Sequence, residues 1–145
     1  MIPIEQTKTV VLVPPQIKDN GAPASLTYVD TKGWGHLRVL IVTGVIDAAT
    51  TDTPLLSASS ATGGTYTAIT GATVTAIADG DDDEIAGIDV DLSSGKHYRY
   101  IKCEVTAGDG TTGTNLCVLG ILSRPSSGAN TGLATANGMT ELTSV

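Results

Sequence analysis

Short runs in which apolar and polar residues alternate recur along this chain, and each run is ended by glycine, proline or an acidic turn. The clearest is the segment 86–92, in which apolar residues alternate with two aspartates. Alternation with a period of two is typical of half-buried β-strands, and we find no segment with the period of an amphipathic helix. Turn signals at intervals of about 8–12 residues are typical of all-β domains. A sandwich, a jelly roll or a barrel would fit this pattern.

Eight or nine short strands are predicted from the pattern, depending on whether neighbouring segments join. The segments are 7–13, 25–30, 36–42, 54–59, 65–69, 72–77, 86–92, 98–105 and 115–122. The segment 36–42 is largely apolar on both sides, which predicts either a central position in a sheet or a contact between subunits. Pro14 and Pro15 cannot donate backbone hydrogen bonds, so the first strand is expected to end there or to lie at a sheet edge.

The segment 96–125 is the most regular part of the chain and predicts a β-hairpin with its turn at 106–113. We expect its two strands to be central in the sandwich. Cys103 and Cys117 lie one on each arm, within about one residue of the same register, so they are expected to oppose each other. Buried, reduced thiols that act as small apolar side chains are the favoured interpretation, and a disulfide is the alternative.

Composition narrows the possible functions. The chain has 145 residues, which suits one domain. Its formal net charge is −7 and its eight Lys and Arg are scattered, unlike the basic stripe of a nucleic-acid-binding protein. No run approaches the roughly 18 apolar residues of a membrane span, and the start lacks the pattern of a signal peptide. We therefore expect folding in a reducing cytoplasm, with no binding to nucleic acid or membrane.

The ends of the chain differ in composition from its middle. Residues 9–124 are predicted as the sandwich domain, 1–8 as an N-terminal arm and 125–145 as an extended or flexible tail. The tail is small, polar and glycine-rich, and its isolated apolar residues are Leu133, Met139, Leu142 and Val145. Such a segment cannot bury enough apolar surface to offset its ordering entropy, so we expect it to order on a partner.

The acidic run from Asp79 to Glu84 is the first candidate for a site. Carboxylates in a tight loop can ligate Ca²⁺, and Asp79, Asp81 and Asp83 are the candidate ligands. The EF-hand pattern fails, because the sixth residue from Asp79 is Glu84 rather than glycine and the twelfth is Val90 rather than glutamate. We therefore expect a solvated turn, and we predict no metal and no cofactor.

The sequence offers no recognisable catalytic arrangement. It lacks a G-x-S-x-G motif, and its glycine pairs open no helix that would cradle a phosphate. We therefore predict that the protein is not an enzyme; a depolymerase would need a carboxylate pair in a cleft. Trp34, the one tryptophan, lies in a turn between two glycines. If exposed it would be an interface anchor or a sugar platform, and otherwise it folds over the edge of the sandwich.

Several motifs resemble a family of small head proteins of tailed bacteriophages that coat the capsid. YVDTKGW at 28–34 is followed by the apolar strand LRVLIVTGVID at 37–47. A serine-rich loop follows in LLSASSATGGTYTAI at 55–69, and RYIK at 99–102 begins the closing motif. The resemblance covers about residues 10–124, and the DGDDDE loop and the long tail depart from it.

The resemblance implies a capsid decoration (cement) protein: an all-β, antiparallel, jelly-roll-like β-sandwich with flexible terminal arms. It implies binding to the major capsid protein on the virion surface, assembly in the host cytoplasm, and a homo-trimer at three-fold positions. The outward residues of the predicted hairpin are expected to form a subunit contact, because tyrosine is enriched at interfaces; they are Tyr98, Tyr100, Lys102 and Glu104. The other interface candidates are Trp34, Arg124, Leu133, Met139 and Leu142.

An alternative is a β-sandwich binding module on the particle surface that recognises glycans or a host surface. Sugar sites use exposed aromatic side chains with polar neighbours, and Trp34 and Tyr66 lie in suitable loops. Specific binding to glycans would favour this alternative, because a protein that only stabilises a capsid should bind none.

Overall fold

The computed structural model describes residues 7–19, 27–46, 54–78, 80–93, 99–108, 111 and 113–125. These residues form eight β-strands and no helix, so none of them belongs to a helix that could cross a membrane. The strands are β1 (Thr7–Lys18), β2 (Val29–Asp30), β3 (Trp34–Ile46), β4 (Leu55–Ser59), β5 (Thr67–Thr73), β6 (Ile85–Asp91), β7 (Tyr100–Glu104) and β8 (Thr114–Pro125). The prediction of an all-β domain is confirmed.

The eight strands form two antiparallel four-stranded sheets. Sheet one has the order β1-β8-β3-β6, and sheet two has the order β2-β7-β4-β5. The first half of the chain pairs with the second half in reverse, as β1 with β8, β2 with β7, β3 with β6 and β4 with β5. A ribbon of paired strands whose successive pairs enter alternate sheets is a jelly roll. The expected jelly-roll-like sandwich is therefore confirmed.

The predicted hairpin in 96–125 is wrong. β7 pairs with β2 and β4 in sheet two, whereas β8 pairs with β1 and β3 in sheet one. Alternation along a strand shows which of its sides is buried, but not which strand lies beside it. Two paired strands and two strands in facing sheets have the same alternating pattern, so the pattern could not distinguish them. The expectation that both strands are central is confirmed, because each has a neighbour on both sides.

The core lies between the sheets and is built mainly from aliphatic side chains. Six leucine and isoleucine side chains are fully buried: Leu12, Leu37, Ile41, Leu56, Ile101 and Leu122. Burial of one such side chain contributes about 1.5–3 kcal/mol. In β3 the inward residues Leu37, Val39 and Ile41 are buried while Arg38 is exposed, so the alternation predicted for 36–42 is confirmed. Its central position is also confirmed, since β3 lies between β8 and β6.

Trp34 is part of this core rather than an exposed side chain. Only 9% of it is accessible to solvent, and its backbone pairs with Pro125 at the end of β8. The preceding turn is closed by the Trp34 N–H, which donates to the Thr31 carbonyl at 3.0 Å, and Gly33 adopts a φ of +83°. Of the two alternatives for Trp34, the one in which the ring folds over the edge of the sandwich is confirmed, and the exposed anchor or sugar platform is wrong.

β1 continues through Pro14 and Pro15 instead of ending there. It is an edge strand that pairs with β8, and the register shifts between Val11 and Val13 and again between Val13 and Gln16. Such irregularities at an edge leave the prolines where no ladder hydrogen bond is needed. The edge position is confirmed, whereas the expected end of the strand at the prolines is wrong.

Other strand boundaries differ from the predictions. β5 joins parts of the predicted segments 65–69 and 72–77, with Gly71 at a φ of +81° inside the strand. The predicted strand 25–30 retains only its last two residues as β2 within the described part of the chain. The arms remain predictions, since residues 1–6 and 126–145 lie outside the described residues.

Two valines of β3 provide a matched test of the core. Val39 is fully buried, whereas Val45 is 56% exposed. We expect Val39→Ala to lower the free energy of unfolding by about 2 kcal/mol or more, because each buried methylene contributes about 0.8 kcal/mol and the cavity adds to this. Val45→Ala should change it by less than about 0.5 kcal/mol. Urea unfolding at one protein concentration measures both, and equal losses would contradict the inward orientation of Val39.

Candidate functional site

The outer face of sheet two gathers aromatic and cationic side chains from distant parts of the chain. Tyr28 directly precedes β2, Tyr66 directly precedes β5, and Tyr100 begins β7. Arg99 directly precedes Tyr100, and Lys102 points outward from β7, because its neighbours Ile101 and Cys103 are buried. We define these five residues, Tyr28, Tyr66, Arg99, Tyr100 and Lys102, as the tyrosine face.

The side chains of the tyrosine face contact one another. The rings of Tyr28 and Tyr100 meet edge to face, with centroids 5.3 Å apart and planes at 81°. The guanidinium of Arg99 lies 5.0 Å from the centroid of Tyr100, and the Lys102 ammonium lies 4.0 Å from the centroid of Tyr66. Exposed contacts between a cation and a ring contribute about 0.5–1 kcal/mol each. These contacts hold the rings in defined orientations before any partner binds.

Two serines of β4 lie beneath this layer. Ser57 and Ser59 are register partners of Lys102 and Tyr100, and both are buried although they are on the outer side of the sheet. The Ser57 hydroxyl donates to Glu104 Oε1 at 2.6 Å. The larger neighbouring side chains therefore cover the serines, and the polar groups beneath are hydrogen-bonded rather than available to a ligand.

An ion pair anchors one side of the tyrosine face. Arg99 binds Asp30 with two parallel hydrogen bonds, of which Nε to Oδ1 measures 2.6 Å. The hydrogen bonds from Arg99, followed by one from the Lys32 backbone N–H, lower the pKa of Asp30 against the opposing effect of partial burial. Partial burial, together with Tyr28 and Tyr100, raises the pKa of Tyr66. Tyr66 therefore stays a neutral phenol at physiological pH.

The predicted interface residues are only partly brought together. Tyr100 and Lys102 lie on the tyrosine face, whereas Arg124 lies at one end of sheet one. Tyr98, Leu133, Met139 and Leu142 lie outside the described residues. The sequence interpretation missed Tyr28 and Arg99 as members of this group, and it considered Tyr66 only as a candidate for sugar binding. The local sequence pattern does not show that these residues lie together, because they become neighbours only when β7 pairs with β2 and β4.

The middle of the outer face of sheet one carries aliphatic side chains. Leu40 of β3 and Leu119 of β8 are register partners at its centre, and Val11 of the edge strand lies beside Leu119. Of the five large exposed hydrophobic side chains in the described part of the chain, four lie on this side: Val11, Ile17, Val45 and Ile85. We define these six residues, Val11, Ile17, Leu40, Val45, Ile85 and Leu119, as the apolar face.

Charged side chains lie at one end of the apolar face. Arg38 binds Asp89 through two hydrogen bonds of 2.8 and 3.0 Å, and His36 Nε2 lies 3.4 Å from the same carboxylate. Arg38 lowers the pKa of Asp89. Arg124 Nη2 lies 3.6 Å from Asp91 Oδ1, and the pKa of Asp91 is lowered mainly by hydrogen bonds from Ser93.

The acidic turn, defined as residues 80–84, lies at the opposite end of β6. Asp81 Oδ2 accepts from the Ala78 N–H at 3.1 Å, and Asp82 Oδ1 accepts from the Ile46 N–H at 2.7 Å. Asp83 adopts a φ of +59°, a conformation that aspartate tolerates. Within the described residues, Asp81 and Asp83 belong to no group of three ligating side chains that could hold a metal, and Asp79 lies outside them.

The two cysteines do not oppose each other. Cys103 points into the core from sheet two, whereas Cys117 lies half-buried on the outer side of sheet one, and both are free thiols. Burial raises the pKa of the Cys103 thiol to about 12, with a smaller contribution from Glu104. The interpretation as a buried, reduced thiol is confirmed for Cys103. Cys117 is also a free thiol, but its predicted burial is wrong, because β8 turns that side of its strand outward.

No protein-family model matches the chain, and no curated protein matches it. Among solved structures, the fold is similar to the SPBc2 prophage-derived protein YomS, with a TM-score of 0.52 and 14% identity over 81% of this chain and 93% of that chain. At this identity the likeness establishes the fold alone. The chain also aligns with the CBM22-1–GH10 modules of Clostridium thermocellum endo-1,4-β-D-xylanase 10B, complexed with xylohexaose. That match has a TM-score of 0.39 and 10% identity over 85% of this chain and 27% of that chain, too low to support an argument.

Chemical labelling of the thiols tests whether Cys103 is buried in the core. We expect Cys117→Ser to show no reaction with an aromatic disulfide reagent in the native state, because Cys103 is buried and its pKa of about 12 leaves almost no thiolate at pH 8. The same variant should react with one equivalent in denaturant. Rapid labelling of the native variant would show that Cys103 is accessible.

The lowered carboxyl pKa values predict acid sensitivity. Arg99 and Arg38 lower the pKa of Asp30 and of Asp89, so the stabilisation from both ion pairs is complete above the unfolded-state value near 3.8. It is lost as the pH falls through the lower folded-state values. We expect Arg38→Gln to raise the pKa of Asp89 and to leave that of Asp30 unchanged, as measured by carboxyl NMR titration. Similar pKa shifts of Asp30 and Asp89 in this variant would show that the two ion pairs are not independent.

Proposed function

We propose that this protein is a structural virion protein of a tailed bacteriophage, a decoration or cement protein that binds the outer capsid surface and stabilises the head. The observation that carries the proposal is the tyrosine face. Tyrosine and arginine are enriched at protein interfaces and among the residues that contribute most to binding. The partner in this proposal is the major capsid protein.

The contacts within the tyrosine face suit it to protein binding. Tyr66 is held by Lys102, and Tyr100 is held between Arg99 and Tyr28. Side chains that are already ordered lose little conformational entropy on binding, so more of the contact energy appears as affinity.

The phage assignment is supported by two likenesses. The motifs at 28–34, 37–47 and 99–102 resemble capsid-coating head proteins. The fold is similar to that of a prophage-derived protein over most of both chains. The homo-trimer implied by the sequence resemblance, and the location on the virion surface after assembly in the host cytoplasm, are expectations of the same proposal.

The glycan-binding alternative gains no support from the geometry. Trp34 is buried, and one face of the Tyr66 ring is covered by Lys102. The rings of Tyr28 and Tyr100 are perpendicular, so they do not form a flat platform on which a sugar could stack. Glycan binding is therefore retained as an outcome of the test and not as a second proposal.

The proposal is tested by co-sedimentation of the protein with DNA-filled heads from which it has been stripped. We expect saturable binding that Tyr100→Ala combined with Lys102→Ala weakens by about tenfold or more, as loss of two central interface residues does. The matched control is Thr67→Ala with Thr70→Ala, two exposed residues of β5 on the same sheet, which should bind like the unaltered chain. A variant ending at Pro125 measures the contribution of the tail separately.

Three results would overturn the proposal or relocate the contact. Failure of the unaltered chain to bind heads would overturn the cement role, and specific binding on a glycan array would then favour the alternative. Equal binding by the Tyr100 and Lys102 variant would remove the tyrosine face from the interface. Loss of binding by the variant ending at Pro125 alone would move the contact to the tail.

A further inference from the structure

β1 and β2 form an open side of the sandwich. Each is the edge strand of its sheet, and the Thr27 N–H, just before β2, donates to the Leu12 carbonyl at 3.3 Å. Between that bond and the start of β1 the two strands leave a cleft of about 350 Å³. Lys8 to Val11 line one side of this cleft and Tyr28 to Asp30 line the other. We define it as the edge cleft.

The edge cleft opens the apolar core to the surface. Lys8 and Val10 are register partners of Leu122 and Gly120, so their side chains are on the core side of sheet one. Leu122 is fully buried, whereas Lys8 and Val10 are only half-buried. An aliphatic side chain placed in the cleft would therefore remove further apolar surface from water, which stabilises the contact.

The β2 side of the edge cleft presents backbone groups at the free edge of sheet two. Successive residues of an antiparallel strand direct their N–H and C=O groups to opposite neighbours. The Thr31 N–H donates to the Arg99 carbonyl at 2.9 Å, so Val29, two residues earlier, also faces β7. The backbone groups of Tyr28 and Asp30 therefore point to the free edge. Such an edge can accept one more extended strand.

Residues 1–6 lie outside the described residues, but their sequence, MIPIEQ, has the pattern of a strand that fits this cleft. We define them as the terminal segment. Ile2 and Ile4 are two residues apart, so an extended segment directs both side chains to one side. Their backbone groups also point to one neighbour, whereas Pro3, which has no N–H, faces the other way. The segment can therefore bond through its isoleucines and lose no hydrogen bond at the proline.

An orientation parallel to β2 satisfies both the side chains and the backbone. In a parallel pair, a residue bonds to the two residues that flank the one opposite it. An isoleucine opposite Val29 would point into the core and bond to Tyr28 and Asp30. Since β2 runs away from the closed end of the cleft, Met1 would lie deepest and Gln6 would lie at the opening. The rest of the donor chain would then stay outside the cleft.

The same chain cannot place both isoleucines in its own cleft. A two-residue turn at Glu5 and Gln6 would pair the terminal segment with β1 and put Ile2 opposite Thr9. Opposite residues of an antiparallel pair share a side, and Thr9 faces away from the core. The isoleucines would therefore point outward, and a longer turn would use Ile4 itself. A second copy of the chain can donate the segment without this constraint.

Length and pattern favour the terminal segment over the C-terminal tail. Six extended residues span about 20 Å, and the cleft follows four residues of β1, about 14 Å. The large apolar residues of the tail are at least three positions apart, so the tail cannot direct two of them to one side within this length. They are Leu133, Met139, Leu142 and Val145.

We propose that the terminal segment of one copy inserts Ile2 and Ile4 into the edge cleft of the next copy and adds a strand to its sheet two. The contact joins two different surfaces, so repetition about an axis closes a ring. The number of copies, three, rests on the homo-trimer of the proposed function, but the contact does not depend on capsid binding. The tyrosine face stays on the outer side of each sandwich.

Sedimentation velocity of the full chain over a range of concentrations tests the role of the isoleucines. We expect a trimer whose midpoint concentration for assembly rises by about tenfold or more in Ile2→Asp with Ile4→Asp, because insertion would then bury charge. The matched control, Leu133→Asp with Leu142→Asp, places the same charges in the tail and should assemble like the unaltered chain. Circular dichroism checks that both variants are folded.

Disulfide trapping tests where the terminal segment lies. In a Cys117→Ser background, Ile4→Cys with Val10→Cys places one thiol on the segment and one in the cleft, while Cys103 is buried. Mild oxidation should link copies into dimers and trimers on a denaturing gel, and reductant should release them. The matched control, Ile4→Cys with Val45→Cys, places the second thiol on the outer side of sheet one and should remain monomeric on the gel.

Each contrary result overturns a stated part of the inference. A monomer at all concentrations, or a trimer unaffected by the Ile2 and Ile4 changes, would overturn the contact. Loss of assembly in the tail control would assign the contact to the tail. A disulfide within single chains would overturn exchange between copies, and a dimer would overturn the ring of three. Trimers that form as expected but bind no stripped heads would support this inference and overturn only the cement role.

Discussion

Burial of one apolar side of each sheet against the other is the interaction on which the rest of the structure depends. Leu37, Val39 and Ile41 of β3 are fully buried, as are Leu56 of β4 and Ile101 of β7. Since successive residues of a strand point to opposite sides, this packing also decides which residues face outward. Both candidate surfaces are therefore consequences of the core, and a register slip of one residue would exchange core and surface.

The two outer faces differ in chemistry although one fold produces both. On the tyrosine face the aromatic rings contact cations, and the serine hydroxyl beneath them donates a hydrogen bond to a carboxylate. The apolar face carries exposed aliphatic side chains with charges confined to its ends. A protein that assembles on a larger particle needs distinct surfaces for distinct contacts, and a sandwich supplies two that cannot interfere sterically. The assembly role proposed above uses this separation.

The main errors in the predictions from sequence concern which strands pair with each other, rather than which segments form strands. The segments 86–92 and 36–42 were assigned to strands with the correct side buried, because the period of two is a local property. β7 and β8 were paired wrongly, because a connection of several residues can close a hairpin or cross between sheets. Trp34 showed the same limit: its flanking glycines indicate a turn, but only the neighbouring strand end decides that the ring is covered.

The sequence by itself determined the class of fold, the aliphatic core and the acidic, scattered charge, because these follow from composition and from alternation along single strands. Tertiary structure alone decided that Tyr28 meets Tyr100, that Lys102 reaches the Tyr66 ring, and that Cys103 is buried while Cys117 faces outward. Pairing between strands far apart in the chain brings these residues to their places. The free energy that selects such pairs comes from packing the whole core, which no short stretch of sequence encodes.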